Sequence, residues 1–345
     1  MPLSDIAESV WYGDGVSSRV MRAALWPASA LYGAAIAQIN MMAVMARPTA
    51  GPIPSISIGN LTVGGTGKTP VSAWFAARLR AAGASPAIVL RGYGDDEVHV
   101  HRLLNPDVQV FAGADRVQQV QLAAESGADT AILDDAFQHR RAARVADVVL
   151  VSADRWTGEV HLLPAGPFRE PLKALRRATM VMVTVKACAD DRVRAAAHAI
   201  RSVTSSAVVT VDLSPASFVA VGAAQNASPL DEWRGRRVLA VSGIGDPSAF
   251  QAQLRRLGLL PTAMTFADHH RYAVESVQRI MKAADGFDAV VCTLKDAVKL
   301  GQFWSSSAVP LWYLSQSVVP RDGTEALDDA VRTVLAARRI TPSSH

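Results

Sequence analysis

The chain has few cysteines and little net charge. Its 345 residues include two cysteines, Cys188 and Cys292, which lie far apart and in no metal-ligand spacing. They give no disulfide framework and no zinc site, and they fit a reducing cytosol. The formal net charge is only +4. That value argues against a nucleic-acid partner, although it suits an anionic substrate or an anionic membrane surface.

Charged residues are also missing from a long segment near the N-terminus. Residues 23–46 contain no Asp, Glu, Lys or Arg and would nearly span a bilayer. The segment is nevertheless Ala-rich, is interrupted by Pro27, and carries Gln38 and Asn40. Arginines flank it on both sides, at Arg19, Arg22 and Arg47. We favour a membrane-associated helix lying in one leaflet over two alternatives, a buried core helix and a spanning helix or signal peptide.

The stretch SISIGNLTVGGTGKTP (residues 55–70) lacks one glycine of a known phosphate-binding motif. Walker A, G-x-x-x-x-G-K-[ST], needs a glycine where this chain has Thr62. A strand, several glycines and a helix start still follow one another, and backbone N–H groups at a helix N-terminus attract phosphate oxygens. Pro70 is tolerated because the first helical turn has N–H groups without partners. The residues predicted to bind the nucleotide are Gly64, Gly65, Thr66, Gly67, Lys68 and Thr69.

Two carboxylates end an apolar strand in the string AILDDAFQHRR (residues 131–141). A strand-terminal Asp is a usual second anchor for Mg²⁺ beside a phosphate loop. We therefore predict a Mg²⁺ site formed by Thr69, Asp134 and Asp135, with a helix N-cap as the alternative role for either Asp. His139 is either a helix-face histidine or a partner of the metal ligands.

Short apolar runs alternate with segments of helical length after the phosphate loop, which predicts a parallel sheet covered on both faces. The predicted strands are residues 86–90, 130–134, 146–152, 180–185, 207–212, 237–243, 288–294 and 310–315. The predicted fold class is α/β: a P-loop-type parallel-sheet domain, a second smaller α/β domain and an N-terminal membrane-associated helix. The corresponding ranges are residues 51–213, 214–345 and 1–50.

The sequence has no guanine-reading motif of the form [NT]-K-x-D. The nearest string, Thr293 to Asp296, has the wrong order, so ATP is preferred over GTP. A kinase also needs a base for the acceptor hydroxyl. The strings RGYGDDEVHVH (residues 91–101) and TFADHHRY (residues 265–272) contain Asp and His candidates. Another P-loop ATPase or small-molecule kinase, and an inactive nucleotide-binding protein that docks on membranes, remain as alternatives.

Taken together, six strings resemble one family, the tetraacyldisaccharide 4'-kinases, also called lipid A 4'-kinases. The strings are SIGNLTVGGTGKTP, LRGYG, LDDAFQHR, LLPAGPFREP (residues 162–171), FADHH and TLKDAVKL (residues 293–300). They occur in the family's order, and Thr62 belongs to the family's own version of the phosphate loop. The resemblance implies ATP- and Mg²⁺-dependent phosphorylation of the 4'-hydroxyl of a tetraacyl glucosamine disaccharide 1-phosphate. It also implies a peripheral or monotopic enzyme at the cytoplasmic face of the bacterial inner membrane.

The resemblance further assigns roles residue by residue. Lys68 and Thr69 match the residues that hold ATP and Mg²⁺, and Asp134 and Asp135 match the metal-site pair. The family's catalytic Asp and its partner His match Asp96 and His269, although Val98 replaces the family's proline and Asp95 competes with Asp96. The predicted substrate residues are Arg116, which matches a family arginine near the phosphates, and Arg169 and Glu170, which match a string near the substrate. A basic stretch after the LLPAGPF string adds Lys173, Arg176 and Arg177, of which the last two are better explained as a solvated helix face.

Overall fold

The computed structural model describes residues 3–92, 96–268, 270–305 and 309–338. Contacts divide these residues into two compact units. The first unit contains residues 3–212 together with the segment that starts at Val318, and the second runs from Leu213 to Ser317. Each unit has its own set of parallel strands and its own hydrophobic core.

A pair of helices opens the first unit: α1 (Leu3–Tyr12) packs against α2 (Val16–Met45). Strands and helices then alternate, and a 3₁₀ helix at Leu172–Arg177 precedes the sixth strand. The elements are β1 (Ser55–Asn60), α3 (Lys68–Ala81), β2 (Pro86–Leu90), α4 (Asp96–Leu104), β3 (Gln109–Ala112), α5 (Arg116–Glu125), β4 (Thr130–Asp134), β5 (Ala146–Ser152), β6 (Met180–Val185), α6 (Asp190–Arg201) and β7 (Ala207–Ala220).

The strands of the first unit are parallel and lie in the order β3-β2-β4-β1-β5-β6-β7. Strand β4 shows why its sequence is apolar at successive positions. Ala131 and Leu133 pack with Val120 of α5, whereas buried Ile132 points to the other face, and α3 packs on the same strand. The neighbouring strands β1 and β4 end at one edge, so the loop after β1 lies beside Asp134 and Asp135.

The second unit begins in the distal part of β7. Its further elements are β8 (Ala223–Ser228), a 3₁₀ helix (Leu230–Trp233), β9 (Arg237–Ser242), α7 (Pro247–Arg256), β10 (Leu260–Thr265), α8 (Val274–Ala283), β11 (Ala289–Cys292), α9 (Leu294–Leu300) and most of β12 (Leu311–Pro320). The parallel strands lie in the order β10-β9-β11-β12, and β8 pairs antiparallel with β7.

The last helix, α10 (Thr324–Arg338), belongs to the first unit. It packs on α3, where Arg78 pairs with Asp328, and Arg338 donates to the Gly83 carbonyl at 3.0 Å. The sequence assigned all residues after 213 to the second domain. The structure differs for the C-terminal segment because the chain returns through β12, and α10 packs on strands β4 and β5 of the first unit.

The α/β architecture with mostly parallel strands is confirmed. Sequence reading missed three strands, β3, β8 and β10. Strands β3 and β10 are largely exposed, so they lack the continuous apolar run that marks a strand buried on both faces.

Helix α2 is 30 residues long and passes through Pro27. It is long and apolar enough to cross a membrane, yet only 6% of its most apolar stretch is buried, and its two buried residues are Ser18 and Ser29. Large apolar side chains are exposed instead: Val16, Val20, Met21, Trp26, Leu31, Ile39, Met41, Met42, Val44 and Met45. This exposure excludes the buried core helix.

The remaining side of α2 carries polar groups that bind the first unit. Ser29 donates to the Leu162 carbonyl at 2.9 Å, Tyr32 donates to the Arg169 carbonyl at 3.0 Å, and Asn40 donates to Glu170 Oε2 at 2.9 Å. These three positions follow the helical repeat, so they form one seam along the helix. The helix is therefore amphipathic in an unusual sense, with its polar seam toward protein and its apolar surface toward solvent.

Candidate active site

The phosphate loop joins the end of β1 at Asn60 to the start of α3 at Lys68. Gly64 has φ 108° and Gly67 has φ 90°, and these left-handed conformations favour glycine. Because α3 begins directly after Gly67, its first N–H groups and the positive end of its dipole lie at the loop. The loop therefore has the backbone and the helix start that bind phosphate.

Thr62 occupies an extended segment rather than a glycine turn. It forms an isolated antiparallel bridge with Phe168. Val63 N donates to the Pro167 carbonyl at 2.8 Å, and Arg169 N donates to the Leu61 carbonyl at 2.7 Å. A β-branched residue suits such extended backbone. The departure from Walker A thus attaches the phosphate loop to the LLPAGPFREP segment.

Side chains at and just after the ends of β1 and β6 hydrogen-bond to the loop. Thr184 Oγ1 donates to the Thr66 carbonyl at 2.9 Å, and Lys186 Nζ donates to the Gly65 carbonyl at 3.0 Å. Asn60 Nδ2 donates to Thr66 Oγ1 at 2.9 Å. The C=O and N–H of a trans peptide point in opposite directions. The bond to the Thr66 carbonyl therefore turns the Gly67 N–H away from β6.

Asp135 lies between two cations at the loop. Its Oδ1 is 3.8 Å from Lys68 Nζ and 3.1 Å from Arg169 Nη2, and its φ is 49°. Burial raises the pKa of Asp135, but the charges of Lys68 and Arg169 lower it more, so the net pKa lies below its usual value. An ionised Asp135 therefore faces the groups that the sequence assigned to phosphates.

Asp134 has a different environment from Asp135. It is 4% exposed, and its Oδ2 accepts a hydrogen bond from His101 Nε2 at 2.9 Å. Its main-chain carbonyl accepts from Arg116 Nη2 at 3.3 Å. The two adjacent carboxylates thus lie in different surroundings, because successive side chains at a strand end point to opposite sides.

Arg116 is the first residue of α5 and is 2% exposed. Burial lowers the pKa of Arg116, while the nearby Asp135 and Asp134 carboxylates raise it in part. Its Nη1 also donates to the Gly113 carbonyl at 3.2 Å. Arg116 thus bonds to the Asp134 main chain and lies near enough to the Asp134 and Asp135 carboxylates to be influenced by their charge.

The structure describes the predicted base, Asp96, but not its predicted partner, His269. Asp96 is half-buried and is the first residue of α4. Five residues later, the same helix carries His101, which contacts Asp134. His269 and Asp95 lie outside the described residues, so their predicted roles stay predictions.

Glu170 is 2% exposed, and both of its oxygens accept hydrogen bonds. Its donors are Asn40 at 2.9 Å, Gln138 at 3.2 Å, and Arg177 at 2.9 and 3.0 Å. Burial raises the pKa of Glu170, but Arg177 and the other donors lower it more, leaving it below its usual value. Glu170 and Arg177 thus form an ion pair that supports their own segment from inside the protein. The role of Glu170 as a substrate contact stays a prediction. By contrast, Arg169 reaches Asp135 and Asn60.

Sequence reasoning did not single out four residues of this region. Asn60 and His101 stood inside quoted strings without an assigned role, whereas Thr184 and Lys186 end an ordinary apolar strand. Their contacts depend on strand order: β6 and α4 reach the loop only after the sheet has formed. The signal by which the sequence could have indicated these residues was a polar side chain at the end of a buried strand.

Comparisons with known proteins agree with one another. The family model for tetraacyldisaccharide-1-P 4'-kinase matches residues 21–336. A tetraacyldisaccharide 4'-kinase from Anaeromyxobacter sp. (strain K) is 37% identical, with 82% of each chain covered. The enzyme of that name from Halorhodospira halophila is 34% identical over 95% of this chain and 97% of its own. The crystal structure of LpxK from Aquifex aeolicus in complex with ATP has a TM-score of 0.72 and 27% identity, covering 91% of this chain and 99% of that one.

Proposed function

This chain belongs to the tetraacyldisaccharide 4'-kinase family, and we propose that its first unit holds ATP and transfers the γ-phosphate with the residues described above. The enzyme is a lipid A 4'-kinase, and its substrate is a lipid A precursor, the tetraacyldisaccharide 1-phosphate. The residue assignment rests on the position of Lys68. This residue directly follows the phosphate loop, and its Nζ lies 3.8 Å from Asp135 Oδ1. Another type of P-loop ATPase is not favoured.

Phosphoryl transfer needs positioned positive charge more than covalent chemistry. Lys68 and the first N–H groups of α3 bind the β- and γ-phosphates of ATP. Arg169 and Arg116 add charge beside the same carboxylates. When ATP enters, Lys68 and Arg169 exchange part of their contact with Asp135 for phosphate oxygens.

The residues present fit Mg²⁺. This ion is usually held by one or two carboxylates, water and substrate phosphates, so it does not require an all-protein cage. Within the described ranges, no group of three or more His, Cys, Asp or Glu side chains could hold a metal ion alone. Thr69, Asp134 and Asp135 would hold the ion through a hydroxyl and two carboxylates, and the ion would neutralise charge on the transferring phosphate.

Asp96 accepts the proton of the 4'-hydroxyl as the hydroxyl oxygen attacks the γ-phosphorus and ADP leaves. Its position in the first turn of α4, on the helix tied to Asp134 through His101, supports this assignment. The partner role of His269 stays a prediction.

Helix α2 gives this chain a means of binding the membrane in which an acylated substrate resides. Its exposed apolar residues face away from the polar seam, and the exposed Arg19 and Arg47 suit anionic headgroups. Because ATP is cytosolic, we propose the cytoplasmic face of the inner membrane, with the helix lying in one leaflet.

The membrane proposal predicts that Leu31→Glu combined with Met42→Glu releases the protein from vesicles. Both side chains are exposed, at 75% and 53%, so the changes cost little in folding but place charge in the acyl boundary. Vesicle partitioning should fall at least about tenfold, which requires a loss of about 1.4 kcal/mol. Flotation with phosphatidylethanolamine–phosphatidylglycerol vesicles measures this. The control is Leu122→Glu on α5, also exposed; equal binding of all three proteins would exclude α2 as the anchor.

The function itself predicts transfer of labelled γ-phosphate from ATP to a tetraacyldisaccharide 1-phosphate acceptor in mixed micelles. Radiolabel should enter the lipid at the 4'-position, and ADP should form in equal amount. ATP hydrolysis that is indifferent to the acceptor would instead support another P-loop ATPase. Folded protein that binds ATP without transfer or hydrolysis would support an inactive nucleotide-binding protein.

A further inference from the structure

A buried histidine joins two parts of the proposed active site that are distant in sequence. His101 lies on α4 and is 0% exposed, and Asp134 ends β4 and is 4% exposed. The distance between Nε2 and Oδ2 is 2.9 Å. Burial of two such polar groups is costly unless they are hydrogen-bonded to each other or to other partners. The pair is therefore a strong, solvent-protected contact.

The donor in this bond is Nε2, since an ionised carboxylate only accepts. The bond holds Oδ2 and prevents the Asp134 carboxylate from rotating about its last torsion. The direction of Oδ1 is then set as well. Partners that fix the orientation of a metal ligand in this way commonly change metal affinity or activity by about 10- to 100-fold when they are lost.

The same bond fixes the helix that begins with Asp96. Asp96 and His101 are five residues apart on α4, which corresponds to a rise of about 7.5 Å along one continuous helix. The partner of His101 is on β4, beside the phosphate loop. A hydrogen bond between the two elements therefore determines how the start of α4 is placed relative to the carboxylates.

We propose that His101 is a positioning residue that orients the Asp134 carboxylate for Mg²⁺ and sets the place of Asp96. This inference rests on the proposed function of Asp134 and Asp96. His101 itself touches neither nucleotide nor lipid. It acts through Asp134, so its loss affects metal-dependent steps while leaving metal-free nucleotide binding intact.

Two similar amides provide a matched test. His101→Gln places its amide nitrogen about where Nε2 lies, whereas the shorter side chain of His101→Asn reaches only the position of Nδ1. Both replace a ring by a polar amide, so they differ mainly in reach. Val100→Ala, at a buried neighbour on α4 that is 2% exposed, controls for loss of stability in the same helix.

The measurement is the affinity for a fluorescent ATP analogue with and without Mg²⁺, together with kcat, KM and Tm. His101→Asn should weaken Mg²⁺-dependent nucleotide binding and lower kcat by about 10- to 100-fold, with Mg²⁺-free binding within about twofold. His101→Gln should restore most of both, and Val100→Ala should lower Tm only.

The proposal is overturned if His101→Asn behaves like Val100→Ala, with a lower Tm and an unchanged response to Mg²⁺, or if the Gln and Asn variants are equally impaired. Should His101→Asn not fold, His101→Phe at reduced temperature decides, because it keeps a ring but has no donor for Asp134, and a purely structural role predicts an unchanged response to Mg²⁺. Failure of the proposed function would appear separately, as wild-type protein that binds Mg²⁺–ATP but phosphorylates no lipid.

Discussion

Replacing Asp96 by Asn should lower kcat by about 10²- to 10⁴-fold, the usual contribution of a general base. The amide keeps the size of the side chain and its place at the start of α4, but it cannot take the proton from the 4'-hydroxyl. ATP affinity should stay within about twofold, because the phosphates are bound by the loop and α3. Steady-state transfer to the lipid acceptor and equilibrium binding of nucleotide separate the two quantities.

The matched control is Asp95→Asn, the neighbouring carboxylate in the same string. It should retain kcat within about threefold, because Asp95 is not the proposed base. If Asp95→Asn loses turnover and Asp96→Asn does not, the base is the preceding residue. If neither variant loses turnover, no carboxylate of this string is the base.

Lys68→Ala should lower kcat by about 10²- to 10³-fold, or about 3–4 kcal/mol of transition-state stabilisation, and should also weaken ATP binding. Lys68 is the first residue of α3, and its side chain is 20% exposed, so its charge acts in a partly water-excluded site. Single-turnover transfer at saturating ATP gives the chemical step without the loss of affinity.

Lys282→Ala provides the control for this prediction, since Lys282 is an exposed lysine in the last turn of α8. It should leave both quantities unchanged. Lys68→Arg should remain well below wild type, because the planar guanidinium does not replace a compact ammonium at such a site. Retention of kcat within about threefold in Lys68→Ala would mean that another cation stabilises the transferring phosphate.

The sequence predicted those parts of the fold that are buried on both faces. Strands β2, β4, β5 and β6 were predicted with the observed bounds, because a parallel strand covered by helices must be apolar at nearly every position. Strands β3 and β10 were missed, since an exposed edge strand carries no such run. The return of α10 to the first unit was also missed, because no local pattern specifies which of two units a terminal helix packs on.

The residues of the candidate site also divide into those that the local sequence predicted and those that depend on packing. The sequence indicated the phosphate loop with Lys68 and Thr69, and separately the carboxylate pair, because in each case the residue types within one short segment carry the chemistry. It gave no sign that Glu170 is internal. Its four hydrogen bonds come from α2, from Gln138 and from Arg177, partners that only the folded chain brings together.

By itself, the sequence determined an α/β kinase with a phosphate loop, an adjacent carboxylate pair and an apolar N-terminal helix. Tertiary structure alone decided that α2 turns its polar seam toward protein, that Thr62 pairs with Phe168, and that His101 meets Asp134. The physical reason is the distance along the chain over which the interactions act. Backbone conformation and helix starts depend on neighbours within a few residues, whereas a buried polar pair depends on strand order and packing that bring distant segments into contact.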